Sequence, residues 1–311
     1  MGKIKQFGPL FVIIAALLWS FDGILRRSLY ALPPAVIVFY EHLLGALIIL
    51  VLVKKWFPDI RKMGKMEWIA IVIVALFSGA LGTIFYTQAL GKVNYIQFSV
   101  VVLLQQLQPI WAILAARLIL KEPLTKRFLL WAGVALIAAY LITFKDLSIN
   151  LATGQGTALA GFLALSAGFL WGSSTAISKY VLKKVSFLTA TALRFFLAPV
   201  FALVFVFGQN QTSQLFSLNS EQWGTLLLIT FTTGLVALAI YYYGLKKTPA
   251  RITTLCELVW PASAIFIDYF YFHNGLSWTQ ILGVILLAFT IWQVLRNEKK
   301  ITATPDRKSV V

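Results

Sequence analysis

Apolar residues fill this chain in long blocks separated by short polar breaks, with neither a single helical stripe nor strand-like alternation. Ten blocks, at roughly 8–30, 33–53, 67–91, 95–119, 128–144, 157–179, 186–207, 223–244, 250–272 and 278–295, have about the 20 residues a helix needs to cross a bilayer. Lone strands leave backbone groups unpaired in lipid, and the blocks lack the alternation of barrel strands. The pattern therefore predicts an all-α, polytopic integral membrane protein with ten transmembrane helices and little left over for a soluble domain. The first block follows Lys3 and Lys5 as a signal peptide would. It lacks a small-residue cleavage site, and Asp22, Arg26 and Arg27 stand where that site would be, so it reads as the first span.

The blocks are written twice. Trp68, Gly79, Tyr86 and Lys92 return as Trp223, Gly234, Tyr241 and Lys247 at one fixed distance. Gln105 and Pro109 return as Glu257 and Pro261, and Trp19 with Asp22 returns as Trp171 with Ser174. Residues 8–144 and 157–295 thus form two five-helix repeats, followed by a polar tail at 296–311. Five is odd, so the second repeat starts on the opposite side of the membrane. Two inverted repeats around a central cavity are the architecture of secondary transporters that work by alternating access.

Composition agrees with a lipid solvent: 59% of residues are hydrophobic, 12% are charged, and the mean hydropathy is +0.83. A net charge of +16 raises the question of nucleic acid. The basic residues instead cluster on alternate connections, around Lys54, Lys55, Arg61, Lys62, Lys121, Lys126, Lys183, Lys184, Lys246 and the tail, while 208–222 holds no Lys or Arg. This positive-inside bias predicts both termini in the cytoplasm of a prokaryotic inner membrane, with lipid and not nucleic acid as the large partner.

Charges inside the spans need a reason, because each costs about 2.5–3.5 kcal/mol or more at mid-bilayer unless paired or wetted. They are Asp22, Glu41, Arg194, Glu257 and Asp268, with His42 beside them. Trp19, Asp22 and Arg26 share one face of the first helix, and Asp22 with Arg26 forms an i, i+4 pair. That pair reads either as mutual neutralisation near the outer surface or as part of a substrate site. Glu41 is matched by Arg194. The two form either a structural salt bridge across the cavity or, for Glu41, a titratable gate for proton coupling.

Helices four and nine carry the sharpest signal. Pro109 and Pro261 interrupt their helices and release the carbonyls of Gln105 and Glu257 at matched depth. Gln105, Gln108, Glu257 and Trp260 make these breaks too polar for lipid, so they read either as interhelical glue or as the lining of a substrate cavity, with Glu257 a second candidate for proton coupling. Gly79, Gly82 and Tyr86 share a face of helix three, as Gly234, Ala237 and Tyr241 do in helix eight. Small residues there admit a neighbouring helix, within one chain or between two, which leaves monomer and homodimer both open.

Other classes find little support. His42 and His273 have no metal-ligand spacing, Cys256 stands alone, and no Walker-type glycine motif is present, so no catalytic centre, metal or cofactor is expected.

Each half resembles the five-helix EamA unit of the drug/metabolite transporter superfamily over roughly residues 8–295. The resemblance is carried by Leu18-Trp19-Ser20 and Leu170-Trp171-Gly172-Ser173-Ser174, by Arg194-Phe195, and by Tyr86-Thr87-Gln88-Ala89-Leu90 and Tyr241-Tyr242-Tyr243-Gly244-Leu245. Leu107-Gln108-Pro109-Ile110, Leu120-Lys121-Glu122-Pro123-Leu124-Thr125, Gly133 and Gly283 complete it. Two positions depart from the family pattern: Glu41 stands where arginine is commoner, and Asn274 where the second half usually keeps a glutamate. The resemblance implies transport of a small metabolite by alternating access. The excess of span carboxylates over Arg194, with Trp19, Tyr40, Tyr86, Trp171, Tyr241 and Trp260 able to cage an ammonium, leans toward an amine-bearing solute. An amino acid exporter or exchanger comes first, and proton-coupled uptake of an organic cation second.

Overall fold

A computed structural model describes residues 7–29, 31–92, 104–148, 157–273 and 275–303. The first part of the fourth predicted block, Asn274, the end of the tail and the side chain of Asp268 lie outside the described residues. Among the described residues, nine helices are long and apolar enough to cross a bilayer. They are α1 (Gly8–Arg26), α2 (Pro34–Lys62), α3 (Lys65–Lys92), α5 (Lys126–Thr143), α6 (Ala158–Leu182), α7 (Phe187–Gly208), α8 (Ser220–Lys247), α9 (Ala250–Ile267) and α10 (Trp278–Glu298). The shorter apolar α4 (Gln108–Leu120) completes the ten, and the two five-helix repeats run in opposite senses.

The repeats are interleaved. α6 packs on α3 and α4 of the first repeat, and its mate α1 packs on α8 and α9 of the second. α2 packs on α7 and α5 on α10, so each of these pairs is its own mate. Every principal contact therefore recurs under the same pseudo-twofold relation. Glycines allow the close approaches: a Cβ on Gly172 of α6 would come within 2.6 Å of the Gln108 carbonyl in α4, and one on Gly244 of α8 within 2.8 Å of the Gly8 carbonyl in α1. With no hydrophobic drive between helices in lipid, such contacts hold a bundle together through packing.

At the basic end of the bundle, polar groups tie the repeats together. The Glu122 carboxylate accepts from the first backbone N–H groups of α9, Ala250 at 2.7 Å and Arg251 at 3.0 Å, where it meets the helix dipole. Arg251 turns its guanidinium to Glu298 at 3.0 Å. Asp59 accepts from the Ser186 N–H at 2.9 Å, and Tyr180 donates to Glu67 at 3.4 Å.

Candidate functional site

Three kinds of helix irregularity meet at the middle of the bundle. First, α3 and α8 each contain a seven-residue π-helical stretch, Ala75–Leu81 and Thr230–Val236, at matching positions. A π stretch adds a residue to the turn, shifts the side chains that follow, and is found frequently at functional sites. Second, helix nine breaks at Leu258 and restarts at Val259, and α4 starts at Gln108 after a turn at Gln106–Leu107. Pro109 and Pro261 sit in the first turns of the restarted helices, where a missing N–H leaves no bond unmade. Third, α1 is interrupted at Ser20–Phe21, whereas its mate α6 runs unbroken through Trp171–Ser174.

These irregularities border one cavity of about 250 Å³. Its wall brings together Trp19, Glu41, Tyr86, Gln105, Gln108, Trp171, Arg194, Tyr241, Glu257 and Trp260, with Pro109 and Pro261 beside them. Tyr40 is not on this wall. Its hydroxyl donates to the Leu215 carbonyl at 2.7 Å and its ring packs against Trp223, so the expected cage loses that member.

The aromatic part of the wall is symmetric. Trp19 of α1 lies against Tyr241 of α8 with ring centroids 5.0 Å apart and planes at 52°. Trp171 of α6 lies against Tyr86 of α3 at 5.2 Å and 58°. Each pair joins one helix from each repeat, and each is the image of the other. Trp260 adds a further ring 6.5 Å from Tyr86, and its indole N–H donates at 3.2 Å to the Trp19 carbonyl at the interruption in α1.

The polar part is not symmetric. In the first repeat Arg26 is buried between two carboxylates: its Nε pairs with Asp22 and its Nη2 lies 2.7 Å from Glu41 Oε2. Asp22 also accepts from the Thr233 hydroxyl at 2.8 Å. One sequence expectation is corrected here: Glu41 pairs with Arg26 instead of with Arg194. The i, i+4 pair of Asp22 with Arg26 forms as the spacing indicates, and both residues line the cavity. The Trp19-Asp22-Arg26 face was visible in the spacing, but nothing in the spacing indicated that Glu41 would meet it.

In the second repeat the images of Asp22, Arg26 and Glu41 are Ser174, Ser178 and Arg194. Arg194 donates through Nη2 to the Ser78 carbonyl at 2.8 Å, and its Nε is buried without a partner. The flanking glycines keep the symmetry: a Cβ on Gly234 would sit 3.5 Å from Glu41, and one on Gly79 3.6 Å from Arg194. His42 is occupied by its own helix, Nδ1 lying 3.0 Å from the Val38 carbonyl, and it packs on Phe195.

At the α4/α9 breaks, Glu257 accepts from Tyr241 at 2.7 Å and from Gln108 Nε2 at 2.7 Å, while Gln105 Nε2 donates to Gln108 Oε1 at 3.1 Å. The broken helices are thus joined to one another and to the Trp19–Tyr241 pair. The Gln105 carbonyl is not free toward the cavity as the sequence implied. It lies against Gly168 of α6, where a Cβ would approach it to 3.0 Å. The arrangement offers aromatic faces, amide groups and hydroxyls around a small enclosed volume. Among the described residues no group of three His, Cys, Asp or Glu side chains is placed to hold a metal ion.

Comparison with known proteins agrees with this architecture. The model of the EamA-like transporter family matches residues 6–144 and again 158–296. The riboflavin transporter ImpX of Fusobacterium nucleatum is 37% identical over 289 residues, covering 92% of this chain and 97% of that protein. An uncharacterized transporter of Synechocystis, sll1164, is 25% identical over 251 residues, covering 78% of this chain and 69% of its own. A solved crystal structure of 14% identity superposes with a TM-score of 0.72 over 94% of this chain and 98% of the other, a likeness of fold alone. With both repeats matched and a relative aligned along nearly its whole length, this multi-pass membrane protein belongs to the EamA-like transporter family.

Proposed function

We propose that this transporter moves riboflavin, or a flavin close to it, by alternating access through the central cavity. The observation that carries the reading is the two tilted Trp–Tyr contacts, Trp19–Tyr241 and Trp171–Tyr86, in a cavity whose three carboxylates are already engaged. Asp22 and Glu41 are held by Arg26, and both oxygens of Glu257 accept hydrogen bonds from neutral side chains. A planar, uncharged heteroaromatic ring system stacks on such walls without needing an ion partner, since offset or tilted ring contacts add about 0.5–1.5 kcal/mol each beyond area burial. A volume of about 250 Å³ lies near the lower end of sites for drug-sized ligands, which run from about 300 Å³, so a tricyclic ring would fill it and an amino acid would leave much of it to water. The name of the 37% identical relative points to the same solute.

For the transport cycle, the basic end is assigned to the cytoplasm of the prokaryotic inner membrane by the positive-inside bias. The Glu122–Ala250, Asp59–Ser186 and Tyr180–Glu67 ties across the repeats support a conformation closed at that end. Opening requires those ties to part while their counterparts at the other end close.

A second reading keeps an amine-bearing solute, an exported amino acid or an organic cation taken up with protons. One observation favours it: Glu257 faces the aromatic cavity with hydrogen bonds but, among the described residues, no cation of its own. Counterflow in proteoliposomes separates the two. The flavin reading expects saturable exchange of labelled riboflavin, unaffected by a large excess of amino acids or a quaternary amine. Exchange of an amine with none of riboflavin would replace the first reading with the second.

A further inference from the structure

We propose that the second-repeat wall of the cavity is a subsite for a hydrogen-bond-acceptor group of the substrate, built from Arg194, Ser174 and the Trp171 indole N–H. For its ligand the inference rests on the flavin reading, and there it assigns an orientation: the dioxopyrimidine edge, with its two ring carbonyls, meets this wall.

The symmetry of the two repeats breaks at the indole N–H groups. In the first repeat, Trp19 Nε1 donates at 2.9 Å to the Thr233 carbonyl in the π stretch of α8. The image of that carbonyl is Ser78 in the π stretch of α3, and Arg194 Nη2 takes it at 2.8 Å. Trp171 is left without the acceptor its mate uses, and its Nε1 lies over Gly82. Ser174, one turn along the same face of α6, is 2% exposed, and its hydroxyl has no partner among the described residues. Arg194 Nε is likewise buried and unpartnered among them. Three donors thus border one stretch of the cavity wall, and one belongs to a guanidinium that no carboxylate neutralises among the described residues.

Buried donors left unmade are costly, and a charged donor more than a neutral one. A ligand with paired carbonyl or carboxylate oxygens satisfies them, and a guanidinium binds such planar acceptors well. An ammonium or a hydroxyl-poor apolar ring does not. The opposite wall differs in charge: Arg26 there is neutralised by Asp22 and Glu41, although its Nη1 is also buried without a partner among the described residues.

The test is equilibrium binding to the purified full chain in detergent, followed by tryptophan quenching. The ligands are riboflavin, lumichrome (the ring system without the sugar chain), phenazine (three fused rings without the carbonyls) and orotate (the carbonyls without the tricycle). The proteins are wild type, Arg194→Gln and Ser174→Ala. Arg194→Gln is expected to weaken riboflavin and lumichrome at least tenfold, and Ser174→Ala about threefold, with phenazine binding unchanged in both. Ser174→Ala leaves the Arg194–Ser78 bond in place, so it reports even if Arg194→Gln fails to fold. Equal weakening of phenazine, or no weakening of the carbonyl-bearing ligands, overturns the subsite. If wild type binds no flavin, the flavin reading falls by itself. The subsite then stands on orotate, if wild type binds it and the variants lose it, and falls if wild type does not bind orotate or the variants bind it equally well.

Discussion

The two repeats line the same cavity with the same rings and opposite charges. Trp19–Tyr241 and Trp171–Tyr86 agree in geometry, the π stretches of α3 and α8 fall at matching positions, and Gly79 and Gly234 each back onto the long polar side chain of the facing helix. Yet Asp22, Arg26 and Glu41 form a closed ion cluster on one side, where Ser174, Ser178 and Arg194 stand on the other. The helices differ in the same sense: α1 is interrupted beside its charges and α6 is continuous. The shared features shape the scaffold and the aromatic walls. The unshared features set chemistry. The first-repeat wall is internally neutralised apart from one excess negative charge, and the second presents donors.

The largest effect should follow from opening the closed cluster. Arg26→Gln leaves the buried Glu41 and the half-buried Asp22 without their cation, a change expected to cost about 3–5 kcal/mol of stability. Arg194→Gln removes one bond from a charged donor to a backbone carbonyl and should cost less, about 1.5–3 kcal/mol. Thermal unfolding of both variants in detergent checks the order, and adding Glu41→Gln to Arg26→Gln should restore part of the loss. Equal destabilisation would erase the distinction between the two walls.

Overpacking comes next. Gly172→Ala drives a Cβ to 2.6 Å from the Gln108 carbonyl, a backbone atom that cannot turn aside. A destabilisation of about 1–3 kcal/mol is expected. Gly133→Ala meets nothing within 4 Å and should be neutral or slightly stabilising. The same melting assay applied to the two glycine variants tests whether α4 is held by the approach of α6.

Glu257→Gln is milder. It removes the charge that Tyr241 and Gln108 both serve, and one of those donors must then face an amide N–H. Loss of about 1.5 kcal/mol in a charge-assisted bond corresponds to roughly tenfold slower riboflavin counterflow. An unchanged rate would detach the α4/α9 breaks from transport. The smallest effect is expected at Tyr40, which lies outside the cavity wall. Tyr40→Phe should cost about 0.5–1.5 kcal/mol through its bond to Leu215 and leave the riboflavin Kd unaltered.

The sequence displays most of this scaffold and little of its wiring. Block length and fixed-distance echoes display the helices and the inverted repeat, and the echo of Trp19 and Tyr86 in Trp171 and Tyr241 displays the four rings but not which ring meets which. Depth along a helix and position on its face are local properties. Partnership is not, because the repeats interleave: Glu41 on α2 reaches Arg26 on α1, and Arg194 on α7 reaches the backbone of α3. For the same reason the sequence leaves Arg26 open between the outer surface and a substrate site, and the structure buries it on the cavity wall. The π stretches leave no mark in composition, since Ala75–Leu81 and Thr230–Val236 share little beyond a glycine. The prolines predict interruption correctly, but Gly168 covers the carbonyl that the interruption releases.

Flavin is proposed to cross between the two Trp–Tyr pairs. Riboflavin counterflow in proteoliposomes made with wild type, Trp19→Leu and Trp171→Leu is the decisive measurement. Saturable exchange in wild type and its loss in both variants are expected, with each protein still folded by its melting profile. Absence of riboflavin exchange in wild type, or full exchange in both tryptophan variants, would overturn the proposal.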